Sequence, residues 1–155
     1  MKSISEYIKA HNISFDGTLD VEDLLKDVKI DEYDYINIDI QECVYRSLLT
    51  INLITIENLT EIKKKLEQYR LVDDVYLLHK GKQVRWINKE KNENKPNLLQ
   101  TGGIVVDVKF MLSGINILVL NKYNKRCMQI QFDKILLFQK LSFEEEMILH
   151  LKRTI

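Results

Sequence analysis

Thr101-Gly102-Gly103-Ile104-Val105-Val106-Asp107-Val108-Lys109-Phe110-Met111-Leu112-Ser113-Gly114-Ile115-Asn116-Ile117-Leu118-Val119-Leu120 is the stretch on which the fold turns. β-Branched residues dominate it, a glycine pair opens it and Ser113-Gly114 interrupts it. Branched side chains suit a pleated, half-buried surface, and glycine supplies the dihedral angles of a tight turn, so the pattern predicts two strands joined as a hairpin. Strict alternation puts Ile104, Val106, Val108 and Phe110 on one face and Asp107 and Lys109 on the other.

Downstream, Asn121-Lys122-Tyr123-Asn124-Lys125 predicts a turn into a third strand over 126–132, with Met128, Ile130 and Phe132 pointing inward. Residues 135–138 form a further short strand. Ser142-Phe143-Glu144-Glu145 is a capping box that opens a final helix, whose apolar face is Phe143, Met147, Ile148 and Leu151. Upstream, 75–78 and 83–87 read as strands joined at His79-Lys80-Gly81-Lys82, and the polar run over 89–97 is an exposed loop.

The front of the chain has helical spacing instead. Ser3 with Glu6 caps a helix over 3–11, Phe15-Asp16-Gly17-Thr18 is a turn, and Asp20 caps a helix bearing Val21, Leu24, Leu25 and Val28. The acidic, aromatic run over 31–35 is a loop. Asp39 with Glu42 opens a helix carrying Val44, Leu48 and Ile51, and residues 51–56 fit either helix or strand. The clearest helix runs over 58–70, with Leu59, Ile62, Leu66 and Tyr69 as its stripe.

Together these elements predict an α+β fold. A mainly helical, acidic region, residues 1–74, is followed by a basic, β-rich domain, residues 75–155. The latter is a small antiparallel sheet or an SH3-like barrel, closed by the C-terminal helix. If the helical stripes of the front half cover the sheet, the two regions make one integrated domain.

An apolar share of 45% and a charged share of 30% over 155 residues describe a globular protein with a real core. The longest apolar run, over 51–56, is far too short to cross a bilayer, and the first residues lack a secretory pattern. The expectation is an intracellular protein with no membrane partner. Cys43 and Cys127 have no ligand-spaced neighbours and read as free thiols in a reducing compartment, each packed as a small hydrophobe.

The net charge of zero hides a division. Residues 1–74 hold nine Lys/Arg against sixteen Asp/Glu, a net −7, and residues 75–155 hold fourteen against seven, a net +7. Asymmetry of this kind points to a polyanion-facing surface or to self-complementary packing, and the competing reading is two solvated faces. The acidic segment over 16–42, with ten Asp/Glu and two Lys, is suited to docking on a basic surface of a partner or of a second copy.

No pattern carries catalysis. His11, His79 and His150 lack metal-site spacing, and no nucleophile elbow or phosphate-binding glycine loop is present. Asp107-Val108-Lys109 resembles half of a PD-(D/E)xK nuclease site, but the second carboxylate that chemistry needs is missing, and a solvent-facing Asp–Lys pair is the better reading. The expectation is a non-enzyme with no cofactor and no metal.

The basic residues are more informative. Lys80, Lys82 and Arg85 gather around the first turn beside Trp86, and Lys122, Lys125 and Arg126 gather around a later turn beside Tyr123. Cations neutralise phosphates while aromatic rings stack on bases or sugars. These eight residues are the candidate nucleic-acid contacts, with DNA favoured over RNA. The alternative is a protein-interaction or assembly module in which acidic and basic halves of separate copies meet.

Leu77-Leu78-His79-Lys80-Gly81-Lys82-Gln83-Val84-Arg85-Trp86-Ile87, the Gly102-Gly103 strand and Phe138-Gln139-Lys140-Leu141 together resemble small uncharacterised proteins of the nucleocytoplasmic large DNA viruses. The resemblance covers about residues 75–150 and leaves the front half unmatched. It implies a viral, non-enzymatic protein handling genome or transcripts in the host cytoplasm, viral factory or virion.

Overall fold

The computed structural model describes residues 30–51, 53–90 and 99–154. The helices expected over 3–11 and from Asp20, the turn at Phe15-Asp16-Gly17-Thr18, much of the acidic segment and most of the polar loop lie outside the described residues. The chain divides into two compact units, one of residues 37–140 and one of residues 1–36 with 141–155.

The larger unit begins with two helices, α1 (Ile38–Thr50) and α2 (Ile56–Lys65). Asn37 caps α1 by accepting the Ile40 amide at 3.1 Å, two residues ahead of the expected start at Asp39. Asp39 lies instead in the first turn, where its charge suits the positive end of the helix. Thr55 caps α2 through the Asn58 amide at 3.2 Å, and Lys63, Lys64 and Lys65 sit at its negative end. Ile51 and residues 53–55 therefore lie between the helices, and Ile56 opens α2.

Six strands follow: β1 (Tyr69–Val72), β2 (Gln83–Asn88), β3 (Gly103–Met111), β4 (Gly114–Leu120), β5 (Cys127–Gln131) and β6 (Ile135–Lys140). They form one antiparallel sheet in the order β1-β6-β2-β3-β4-β5, so the α+β class holds. The sheet is open and the SH3-like barrel does not close. β1 occupies the outer edge of β6, so β5 has no strand to close against.

Two local expectations are corrected. The helix predicted over 58–70 ends at Lys65, and Tyr69–Val72 becomes a strand paired with β6. Residues 75–77 are a 3₁₀ turn and not a strand, so no hairpin joins them to β2. Val75 and Leu78 are both buried in one cluster. Three residues apart, they would face opposite sides of a strand but share one side of a 3₁₀ turn. Asp74 fixes that turn by accepting the Tyr76 amide at 3.0 Å.

Each face of the sheet carries an apolar cluster. On one, Ile87 and Phe138 pack with Tyr45 and Leu48 of α1, Leu59 and Ile62 of α2, and Leu53, Ile54 and Leu66. Tyr45 stacks on Phe138 with ring centroids 6.3 Å apart. On the other, Trp86, Leu137, Val72, Val105, Ile117 and Val119 pack with Val75 and Leu78, and Ile130 and Phe132 lie against them. Full burial of each such side chain contributes roughly 1.5–3 kcal/mol.

A β-bulge between Val105 and Asp107 redraws the faces of β3. Val105 opposes Val119 and Val108 opposes Ile117, so Val105 and Val108 share the core face. Val106 is the extra residue and stands 43% exposed. The alternation expected for Ile104, Val106, Val108 and Phe110 fails because one inserted residue reverses every side chain beyond it.

The buried polar groups are structural. Arg70 is 2% exposed and donates from Nη2 to the Leu77 carbonyl at 2.6 Å. Gln139, opposite Arg70 in the ladder, accepts the His79 amide at 2.8 Å. Both hold the 75–79 segment to the sheet.

In the smaller unit, the capping box is present as expected: Ser142 Oγ accepts the Glu145 amide at 3.1 Å and Glu145 accepts the Ser142 amide at 2.9 Å. It opens α3 (Phe143–Thr154), in which Met147, Ile148 and Leu151 are buried and Phe143 is 46% exposed. Lys152 Nζ donates to the carbonyls of Tyr33 and Ile36 at 2.6 and 3.1 Å.

Candidate functional site

The β4–β5 connection is shaped by Asn121. Its Oδ1 accepts the amides of Tyr123 at 2.9 Å and Asn124 at 3.4 Å, while its own amide donates to the Arg126 carbonyl at 2.9 Å. Lys125 takes a left-handed conformation, φ 57°, to complete the turn. The outcome is a tight loop that presents Lys122 and Tyr123, the latter 93% exposed.

β2 supplies the opposite wall. Val84 and Trp86 point to the core, so Gln83 and Arg85 project from the other face. Arg85 Nε donates to the Gln100 carbonyl at 2.9 Å, which fixes the guanidinium, and Lys122 Nζ reaches Gln83 Oε1 at 3.4 Å. Gly102 and Gly103 form the floor. A Cβ on Gly102 would lie 1.8 Å from the Val84 carbonyl oxygen, and one on Gly103 would lie 2.3 Å from that of Leu120. Only glycine lets this segment approach β2 and β4 so closely.

These pieces enclose a cleft of ≈ 240 Å³ lined by Gln83, Arg85, Thr101, Gly102, Gly103, Lys122 and Tyr123. None of these lining residues is a carboxylate. Arg85 is brought together there with Lys122 and Tyr123, which lie far from it in sequence. Gln83, Thr101 and the glycine pair are additions that sequence reasoning misses as site residues. The signal for them in the sequence is the glycine pair itself, which local pattern marks only as a chain break.

The other candidates are placed differently. Trp86 is 5% exposed inside the core opposite Leu137, so it is a packing residue and not a stacking surface. Lys80 Nζ lies 3.1 Å from Asp107 Oδ1. That ammonium, with the Val108 amide, holds the Asp107 carboxyl below the usual aspartate range. Asp107 is part-exposed, but its ion-pair partner is Lys80 and not the Lys109 of the expected Asp–Lys pair. Lys82, Lys125 and Arg126 are exposed, and among the described residues no carboxylate lies within ion-pair distance of them.

Cys43 and Cys127 are free thiols but both are exposed, not packed as expected; each falls on an outward position of its element. Among the described residues no group of three or more His, Cys, Asp or Glu is arranged to hold a metal ion, and no helix is long and apolar enough to cross a membrane. Comparison with protein-family models, with curated proteins and with solved structures gave no match in any of the three.

Proposed function

We propose that the chain is a non-enzymatic, nucleic-acid-associated binding protein whose cleft takes the sugar–phosphate backbone without reading sequence. One observation carries this reading: the residues lining the cleft include two cations and an exposed phenol and no carboxylate. Arg85, held by Gln100, is a preorganised fork for a phosphate, and Lys122 adds a mobile point charge. Tyr123 offers a ring on which a base or sugar stacks, and Lys82, Lys125 and Arg126 extend the positive field around it. Lys80 is neutralised by Asp107 and Trp86 is buried, so neither belongs to the contact set. The resemblance of residues 75–150 to large-DNA-virus proteins extends the proposal to a viral genome or transcript as the polymer, DNA before RNA.

Fluorescence anisotropy with labelled single-stranded DNA, RNA and duplex across a salt series tests this. The expected result is binding that weakens with salt, the logarithmic slope being about −0.7 per contacted phosphate on single strands and about −0.9 on duplex. Lys122→Ala flattens the slope by about one such unit. Tyr123→Ala costs about 1–3 kcal/mol with the slope unchanged. No binding to any of the three polymers at low salt overturns the proposal.

The charge division between residues 1–74 and 75–155 favours a second reading, assembly through acidic and basic halves of different copies. It predicts association that salt dissolves and that nucleic acid leaves unchanged, read by light scattering.

A further inference from the structure

The two edges of the sheet are unequal. β1 is four residues long, is followed by Asp73 and Asp74, and has the Leu71 amide engaged by Gln41 Oε1 of α1 at 3.2 Å. Short length, flanking charge and a side-chain partner are the usual protections of an edge strand. β5, five residues long and preceded by Lys125 and Arg126, lacks the side-chain partner. Its sequence, Cys127-Met128-Gln129-Ile130-Gln131, contains no charge, proline or glycine. Among the described residues no group hydrogen-bonds to the backbone of β5 from the side away from β4. Met128 is 48% exposed there and Ile130 is partly so.

We propose that β5 pairs with β5 of a second copy, antiparallel about a two-fold axis at Gln129, to form one continuous sheet across two chains. The sequence complements itself in that register. Met128 falls opposite the partner copy's Ile130 on the core face, which covers the two apolar side chains the free edge leaves part-exposed. Cys127 falls opposite Gln131. Two identical edges meeting this way make an isologous, closed interface that does not propagate into filaments. Main-chain ladder bonds hold it, as in other strand-addition contacts. The proposal stands apart from the nucleic-acid reading, because no cleft residue takes part.

Sedimentation velocity of the full chain over a concentration series, without nucleic acid, is the test. The wild type is expected to pass from monomer to dimer and no further. Gln129→Lys, which sets two ammonium groups opposite each other at the axis of an exposed position, should raise the midpoint concentration roughly tenfold or more with an unchanged circular dichroism spectrum and melting temperature. A chain that stays monomeric throughout, or a dimer indifferent to Gln129→Lys, overturns the proposal.

Discussion

Asp107 and Lys80 show how one ion pair is read at the scale of a residue. The carboxyl is held low by the Lys80 hydrogen bond first, then by the Val108 amide and the Lys80 charge. A carboxyl depressed in the folded state stabilises the fold above its unfolded pKa, and that contribution is lost as pH falls through the folded value. Carbon-detected NMR titration should therefore place the Asp107 midpoint below the ordinary aspartate range. Lys80→Met should move it up toward that range, and no movement would show that Lys80 is not the cause. Gly102 makes a second prediction at this scale. Its φ is +79°, and a methyl group added to it would meet the Val84 oxygen at 1.8 Å. Gly102→Ala should therefore cost more than about 2 kcal/mol in urea unfolding.

Among elements, the contact between α1, α2 and the sheet joins these two helices to the strands. Phe138 of β6 is fully buried beneath Tyr45. Burial also pushes the Tyr45 phenol up from its ordinary pKa. Gln41 ties the same helix to β1, donating to the Tyr45 hydroxyl at 3.0 Å while accepting the Leu71 amide. Phe138→Ala should destabilise the protein by about 3–5 kcal/mol in thermal or urea unfolding, because the rigid sheet on one side prevents the site from collapsing. Thr55→Ala, which removes only the α2 cap, should cost about 1 kcal/mol. If the two costs were equal, the helix layer would not depend on the sheet for its stability.

At the scale of the whole molecule, the zero net charge matters less than where the charges lie. Association with a polyanion depends on local field and falls with ionic strength, whereas the apolar ladder of β5 does not. Raising salt should therefore release nucleic acid while leaving the proposed two-chain sheet intact. Running the anisotropy and sedimentation series on the same salt steps checks this, and parallel loss of both would show that charge alone drives the self-association.

Composition and local pattern were enough for the α+β class, for the hairpin on either side of Ser113-Gly114, for the Ser142–Glu145 capping box, and for the stripe of Leu59, Ile62 and Leu66. Each depends on neighbours within a few residues, which periodicity and capping chemistry record directly. The charged turn residues were legible as types, but their convergence was not. Arg85 and Lys122 share a cleft only because β2 and β4 both flank β3, and Trp86 left the site because alternation in a two-faced sheet turned it inward. The strand at Tyr69–Val72, the bulge at Val106 and the open sheet were likewise decided by tertiary structure. A four-residue strand exists by virtue of the β6 edge it pairs with, which is far along the chain, and a bulge by virtue of the register its hairpin partner takes, which a two-residue period does not record.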